Sequence, residues 1–364
     1  MTIGTFREPV LSCFLWEGLI IEVLQKMLKL PIYYRYCIPR QLGFKVATFW
    51  GILLLGFQAY AYDCPVPPGA VKDIDTRVVY TDKRGSIEDP KIVAANKKAR
   101  EPIDKFRSNF LNIADDYYRD PSPQKLECGK SYLEKWAAGG ALLGGKVSGQ
   151  GELVRFWTVG MIGAGMLKLG LDGKSASPVV QAWLQSLGDE VDRYVARRKL
   201  KSNLYYWSGY SLGVIGLVLD NKSYQEKSRD VFLGAINAIQ PDGTLPLELE
   251  RGQRASRYHA FAAQAIFGLA LLHDKNFAEL KNSHFETLVN QLKDAAAGSS
   301  FFEEKTGIKQ LRISVPVWLP VYEGLTTEKA SAFGAHNTKC ARVMSLGGDL
   351  CNLAALRLGD LGAK

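Results

Sequence analysis

The chain has 364 residues, 47% hydrophobic and 23% charged, with a formal net charge of +9. That balance excludes a disordered or collagen-like chain and fits one large globular domain or two small ones. The basic residues are scattered rather than gathered in a block, which argues against a nucleic-acid-binding tail. The excess suits a polyanionic partner, with a solvated basic surface as the alternative.

Taken from the N-terminus, the first informative stretch is "KVATFWGILLLGFQAYAYDC". Lys45, an apolar run from Val46 to Phe57 and then Ala59-Tyr60-Ala61 have the layout of a secretory signal peptide, with cleavage expected after Ala61. The run is shorter than the ~20 apolar residues of a spanning helix. An uncleaved anchor is the rival, and a lipoprotein is disfavoured by the residues before Cys64. Residues 1–61 are therefore expected to be a leader, with Met27 as the start and the first 26 residues an extension. The mature chain, 62–364, is expected to be periplasmic and without stable membrane association. Four cysteines remain in it, Cys64, Cys128, Cys340 and Cys351, an even number in an oxidising compartment. They are paired as Cys64–Cys128 and Cys340–Cys351, with buried free thiols as the alternative. None has zinc-ligand spacing, and neither metal nor cofactor is expected.

Residues 62–90 read as extended chain rich in Pro, Gly and charge. Apolar residues then recur every three or four positions in segments beginning near Lys91, Lys130, Leu153 and Ser177. Further helices are expected near 207–220, 224–240, 255–272, 276–297 and 328–357, with Gly/Pro stops between them. The least helical segment is "KQLRISVPVWLPVYEGL". Roughly ten helices with short connections imply hairpins, and no strict repeat motif appears. Periodicity leaves a toroid and other helical arrays open.

Two stretches carry chemistry. "KSNLYYWSGYS" concentrates hydrogen-bonding aromatics in the manner of a sugar-binding face. "DGTLPLELERGQRASRYHAF" places Arg251, Arg254 and Tyr258 on one face if it is helical. A guanidinium about 4 Å from a phenol contributes about 4 kcal/mol at an effective dielectric of 20. That would bring a tyrosinate within reach. The plainer reading is a salt-bridged helix start with a half-buried tyrosine.

"SNLYYW" followed by "DGTLPLELERGQRASRYH" closely resembles polysaccharide lyase family five, the periplasmic alginate (polymannuronate) lyases. That family carries Asn-Asn-His-x-Tyr-Trp, then G-x-L-P-x-E-L-x-R-x-x-R-A-x-x-Y-H. "VVYTDKRGSIEDP" resembles its mobile lid, and the Cys64 to Cys128 spacing is similar. The resemblance implies an all-α, incomplete α/α toroid over 62–364 with a lid near 75–90. It also implies metal-free β-elimination on an anionic uronate polysaccharide, either mannuronan or a glucuronate-containing polymer. Asn203 and Arg251 would neutralise the uronate carboxylate, and Tyr258 would serve as base and acid. Tyr206 and Trp207 would stack on sugar rings. Arg254, His259, Glu248 and the lid residues Tyr80, Lys83 and Arg84 would bind substrate. The departure is Leu204, where the family has His; leucine neither moves a proton nor donates to a carboxylate. His284 is expected at the surface and His273 at the end of an apolar helix. His336 is the remaining histidine considered for the cleft. A weakly active or non-catalytic uronate-binding protein is the competing class. A helical hydrolase is the third, and Glu248 and Glu250 do not supply its two flanking carboxylates.

Overall fold

A computed structural model describes residues 62–326 and 340–358. The expected leader, Met27, His336 and the first part of the helix expected near 328–357 lie outside the described residues.

Chain-local signals set the helix starts. Asp89 caps α1 (Pro90–Arg119), its carboxylate accepting from the Lys91 and Ile92 amides, with Pro90 pre-set for the first turn. Ser122 and Pro123 open α2 (Pro123–Ala138) in the same way. Ser148 caps α3 (Gly149–Lys168), and Pro178 opens α4 (Pro178–Arg198). Then come α5 (Asn203–Val218) and α6 (Lys222–Asn237), the latter capped by Asn221. After the short α7 (Pro246–Leu249) and a 3-10 turn at Gly252–Arg254 follows α8 (Ala255–His273). The smaller helices are α9 (Ala278–Lys281), α11 (Phe301–Thr306) and α12 (Leu319–Thr326), with α10 (Phe285–Ala297) between the first two.

These helices form two layers. α1, α3, α5 and α8 pack side by side in chain order, and α2, α4, α6 and α10 lie against them from outside. The inner helices α3, α5 and α8 are buried almost all round, whereas the outer ones are amphipathic, as their positions demand. Close approach of the inner pair α3 and α5 needs glycine: a Cβ at Gly163 would lie 2.7 Å from a Val214 methyl. This alternation of inner and outer helices is the expected incomplete α/α toroid.

The C-terminal segment corrects an expectation. In place of a helix through 340–349 there is a two-residue hairpin, β1 (Arg342–Val343) against β2 (Gly348–Asp349). A 3-10 turn at Met344–Leu346 joins the two strands, and among the described residues of this segment α-helix is confined to α13 (Leu350–Leu358). Gly347 and Gly348 both have positive φ, which ends any helix there. The buried Asp115 carboxylate gathers this corner: it pairs with Lys168 and accepts from the Asp349 amide at 3.1 Å. The expected disulfides are present, Cys64–Cys128 and Cys340–Cys351, with Cα separations of 5.7 and 5.5 Å.

The N-terminal strap is extended, as its composition suggests. It is tied to the α2–α3 region by the Trp136 indole donating to the Pro68 carbonyl at 3.0 Å and by the Ile74–Val147 bridge. It delivers residues 79–89 to the mouth of the inner layer.

Candidate active site

The site forms where the N-terminus of α5 meets the α7–α8 junction and the strap. Asn203 begins α5, and its backbone N–H donates to Glu248 Oε1 at 2.7 Å. Its side-chain Nδ2 donates to Glu248 Oε2 at 2.8 Å. A carboxylate thus occupies a helix N-terminus, where a negative charge is favoured. Burial raises the Glu248 pKa, while the two Asn203 bonds and Arg251 pull it back.

Arg251 lies over the Tyr258 ring, 4.5 Å from its centroid. The condition under which the spacing would align the pair, one continuous helix, is not met. Gly252 takes φ +55° and starts the 3-10 turn, so Arg251 approaches from before α8. The same turn sends Arg254 to Tyr80, 5.6 Å from that ring.

The strap segment closes over these groups. The Tyr80 and Tyr258 hydroxyls are hydrogen-bonded at 2.5 Å. Ser86 O accepts from Gln253 Nε2 and Arg254 Nε, both at 3.0 Å, and Arg254 pairs with Glu88 at 2.9 Å. Within the turn, Asp82 accepts from the Ile87 and Ser86 amides, which draws its carboxyl down to about 2. At the tip, a Cβ on Gly85 would come within 2.8 Å of Arg251 Nη1.

The expectation of an easily formed tyrosinate is corrected in this closed arrangement. Burial, then the Tyr80 hydroxyl, raise the Tyr258 pKa above its ordinary value. Arg251 and Arg254 pull it down without overcoming them.

Two concavities meet here. A cleft of about 800 Å³ is lined by Tyr80, Asn203, Leu204, Arg251 and Tyr258, with Trp157 and Phe261 opposite. A trough of about 780 Å³ is lined by Lys83, Arg84, Arg198, Lys199, Lys201 and Arg251, with Glu250 and the Asp242-paired Lys305. Arg198 and Arg251 line both.

Comparison with known proteins decides the family. The alginate lyase pattern matches residues 73–302, which include the lid and both motif stretches. The chain belongs to the alginate lyase family. It is 31% identical to a polysaccharide lyase of Stenotrophomonas maltophilia over 83% of this chain and 93% of that one. It is 24% identical to an alginate lyase of Pseudomonas syringae pv. tomato over 70% of this chain and 72% of that one. A solved structure of alginate lyase A1-III complexed with a tetrasaccharide superposes with a TM-score of 0.65 at 15% identity. It covers 82% of this chain and 86% of that one, and shares the helical toroid. The protein is accordingly a polysaccharide lyase.

Several sequence assignments change role in this lyase. Tyr206 and Trp207 are 4% and 0% exposed, so they form no wall for sugar. α5 is enclosed by α3, α6 and α8 beyond its first turn, and Trp207 packs on Phe261 at 4.9 Å instead. His259 is also fully buried. Its Nε2 accepts from the Leu245 amide and its Nδ1–H donates to the Ala255 carbonyl, both at 2.8 Å. Burial holds it neutral, pushed down to about 4, as a brace of the α7–α8 turn. Glu248, at 1% exposure, orients Asn203 rather than meeting substrate. His273 bonds Ser228 in the interior, and His284 is exposed as expected.

Besides Tyr80 and Tyr258, the cleft's aromatic lining comes from residues that were given no role from the sequence: Trp157, Tyr194 and Phe261. Phe261 follows Tyr258 by one turn of α8, a spacing that could have identified it. The cations of the α4–α5 junction, Arg198, Lys199 and Lys201, were equally missed, although the run "ARRKLKS" is visible.

Proposed function

We propose that the protein cleaves a β-1,4-linked uronate polymer, either alginate-like mannuronan or a glucuronate-containing chain, by syn β-elimination at Tyr258. The observation that carries this reading is the Arg251–Tyr258 pair at the junction of the cleft with a cationic trough. Lys83, Arg84, Lys199 and Lys201 give a polyanion its electrostatic footing.

In the proposed step the Tyr258 phenolate removes the C5 proton. The electron pair moves into the carboxylate, where Arg251 and, once the closed arrangement opens to uncover its buried amide, the second Nδ2 hydrogen of Asn203 stabilise the enediolate. The C4–O4 bond then breaks, C4=C5 forms, and Tyr258 returns the proton to O4. Proton and charge balance, and the phenolate is regenerated. Tyr80 occupies the Tyr258 hydroxyl in the closed state, so substrate must separate the two. That separation removes one of the influences raising the Tyr258 pKa and leaves Arg251 and Arg254 acting on it. The buried Oδ1 of Asn203, which has no partner among the described residues, would accept from a substrate hydroxyl.

The second reading, a binding protein, is favoured by one observation: Leu204 lines the cleft, and no histidine does so among the described residues. The decisive measurement is the near-ultraviolet absorbance of the unsaturated product on polymannuronate, polyguluronate and polyglucuronate. Tight binding of all three without that signal would reject the lyase mechanism in favour of the binding reading.

We also propose export to the periplasm with removal of residues 1–61, leaving 62–364 as one lyase domain. The paired cysteines support this. Among the described residues no helix is long and apolar enough to cross a membrane. Mass spectrometry of the exported protein should place its N-terminus at or near Tyr62; an intact Met27 or Met1 would reject cleavage.

A further inference from the structure

The cleft and the trough, which meet at Arg251 and Arg198, differ in chemistry. The trough carries the free cations. In the cleft, Glu152 is the one lining carboxylate among the described residues, and it is engaged by Arg155 at 2.8 Å and Arg197 at 3.4 Å. That pairing engages Arg197, and the cleft's other two arginines, Arg198 and Arg251, are shared with the trough. Beside these and the polar side chains of Tyr80, Gln150, Tyr194, Asn203 and Tyr258, the wall is apolar. Leu204 directly follows Asn203, Phe261 is one turn beyond Tyr258, and Leu153 and Trp157 are one turn apart on α3. The Trp157 and Phe261 rings meet edge-on at 6.0 Å.

We propose that this wall is an acyl-accepting subsite, taking an acetyl group carried by a sugar next to the scissile bond. The proposal rests on the elimination reading only in placing that bond at Tyr258. A bare uronate against Leu204 and Leu153 would set hydroxyls or a carboxylate beside groups that cannot hydrogen-bond, which is unfavourable. Aromatics alone would suit the C–H face of a sugar ring. Leu204 beside Asn203 and Leu153 on the same cleft suit a methyl group, whose burial is favourable. Gln150, which lines the same cleft, carries an amide able to donate to an acyl oxygen. The acetyl group has two possible sources: an O-acetylated uronate, or an N-acetylated hexosamine alternating with uronate.

The test measures kcat/KM in two arms. One compares O-acetylated polymannuronate with the same polymer after alkaline deacetylation. The other compares an alternating glucuronate–N-acetylhexosamine polymer with polyglucuronate. Preference for the acetylated member, on the order of tenfold, in either arm supports the subsite and names the source. Normal cleavage of the unacetylated polymers with no preference in either arm overturns the subsite and leaves the lyase reading standing. Leu204→Asn and Leu153→Asn, which keep the branched side-chain shape, should each move the ratio toward one; an unchanged ratio in both also overturns it. Equilibrium binding of the same four polymers to full-length Tyr258→Phe separates the two readings. If no polymer is ever cleaved, the elimination mechanism fails, and preferential binding of the acetylated members still decides the subsite.

Discussion

At the scale of single residues, the proposed chemistry turns on two tyrosine hydroxyls 2.5 Å apart. Tyr258→Phe removes only an oxygen, so elimination should be abolished while polymer binding is largely kept, as turnover and equilibrium binding would show. Tyr80 is among the causes raising the Tyr258 pKa, after burial. A raised pKa confines the phenolate to higher pH, so kcat/KM should climb on the alkaline side. Tyr80→Phe should move that limb to lower pH; an unmoved profile would mean that Tyr80 does not govern the proton. Leu204→His restores a polar partner beside Asn203. Its gain on unacetylated polymannuronate should reach about tenfold to a hundredfold at most, the value of one hydrogen bond to a charged group. The motif made Asn203, Arg251 and Tyr258 legible because their chemistry is bound to residue type. Burial was not legible in the same way. Tyr206, Trp207, Glu248 and His259 belong to the same stretches, yet they serve the interior, because the layer in which a helix lies is decided by segments far away in sequence.

At the scale of elements, Asp89, Ser122 and Ser148 each cap a helix start; apolar periodicity, beginning near Lys91, Lys130 and Leu153, finds the first closely and the other two late, because the capping turns are polar. The misplaced part, 340–349, is governed by Gly347–Gly348 and the Asp115–Lys168 pair, partners remote in sequence. The lid shows the same division. Its turn is local, made by Asp82, whereas its closure is held by α8-side partners. Arg254 binds Ser86 O, pairs with Glu88 and covers the Tyr80 ring. Arg254→Ala should therefore loosen the lid more than it harms the fold. The ion pair is partly exposed and contributes about 1 kcal/mol or less. KM should rise severalfold with Tm nearly unchanged. A large fall in Tm with unchanged KM would make Arg254 a structural residue only. Glu248→Ala has the opposite balance, because two donors of Asn203 lose a buried acceptor. A stability loss of about 1.5–3 kcal/mol is expected, with a fall in kcat as Asn203 loses its fixed orientation. Denaturant melts and steady-state kinetics on the same sample would separate the two variants.

At the scale of the whole molecule, the toroid has two covalent staples with different tasks. Cys340–Cys351 spans 11 residues and closes the C-terminal hairpin onto α13. Cys64–Cys128 spans 64 residues and fastens the strap to α2. From that anchor the strap runs past Trp136, Leu142 and Val147 to Tyr80, so the staple fixes the origin of the lid as well as the fold. Loop closure makes the longer staple the more stabilising one, about 4 kcal/mol against about 3 kcal/mol for the shorter. The paired Cys64→Ser/Cys128→Ser substitution should lower Tm and raise KM together, since Tyr80 and the Ser86 carbonyl lose part of their fixed approach to Tyr258 and Arg254. The paired Cys340→Ser/Cys351→Ser substitution should lower Tm with KM unchanged, because that hairpin lies against Asp115 and Lys168 rather than the cleft. Calorimetry and steady-state kinetics on a cleaved uronate polymer provide both readings. Equal effects of the two pairs on KM would show that the strap does not position the lid through its disulfide.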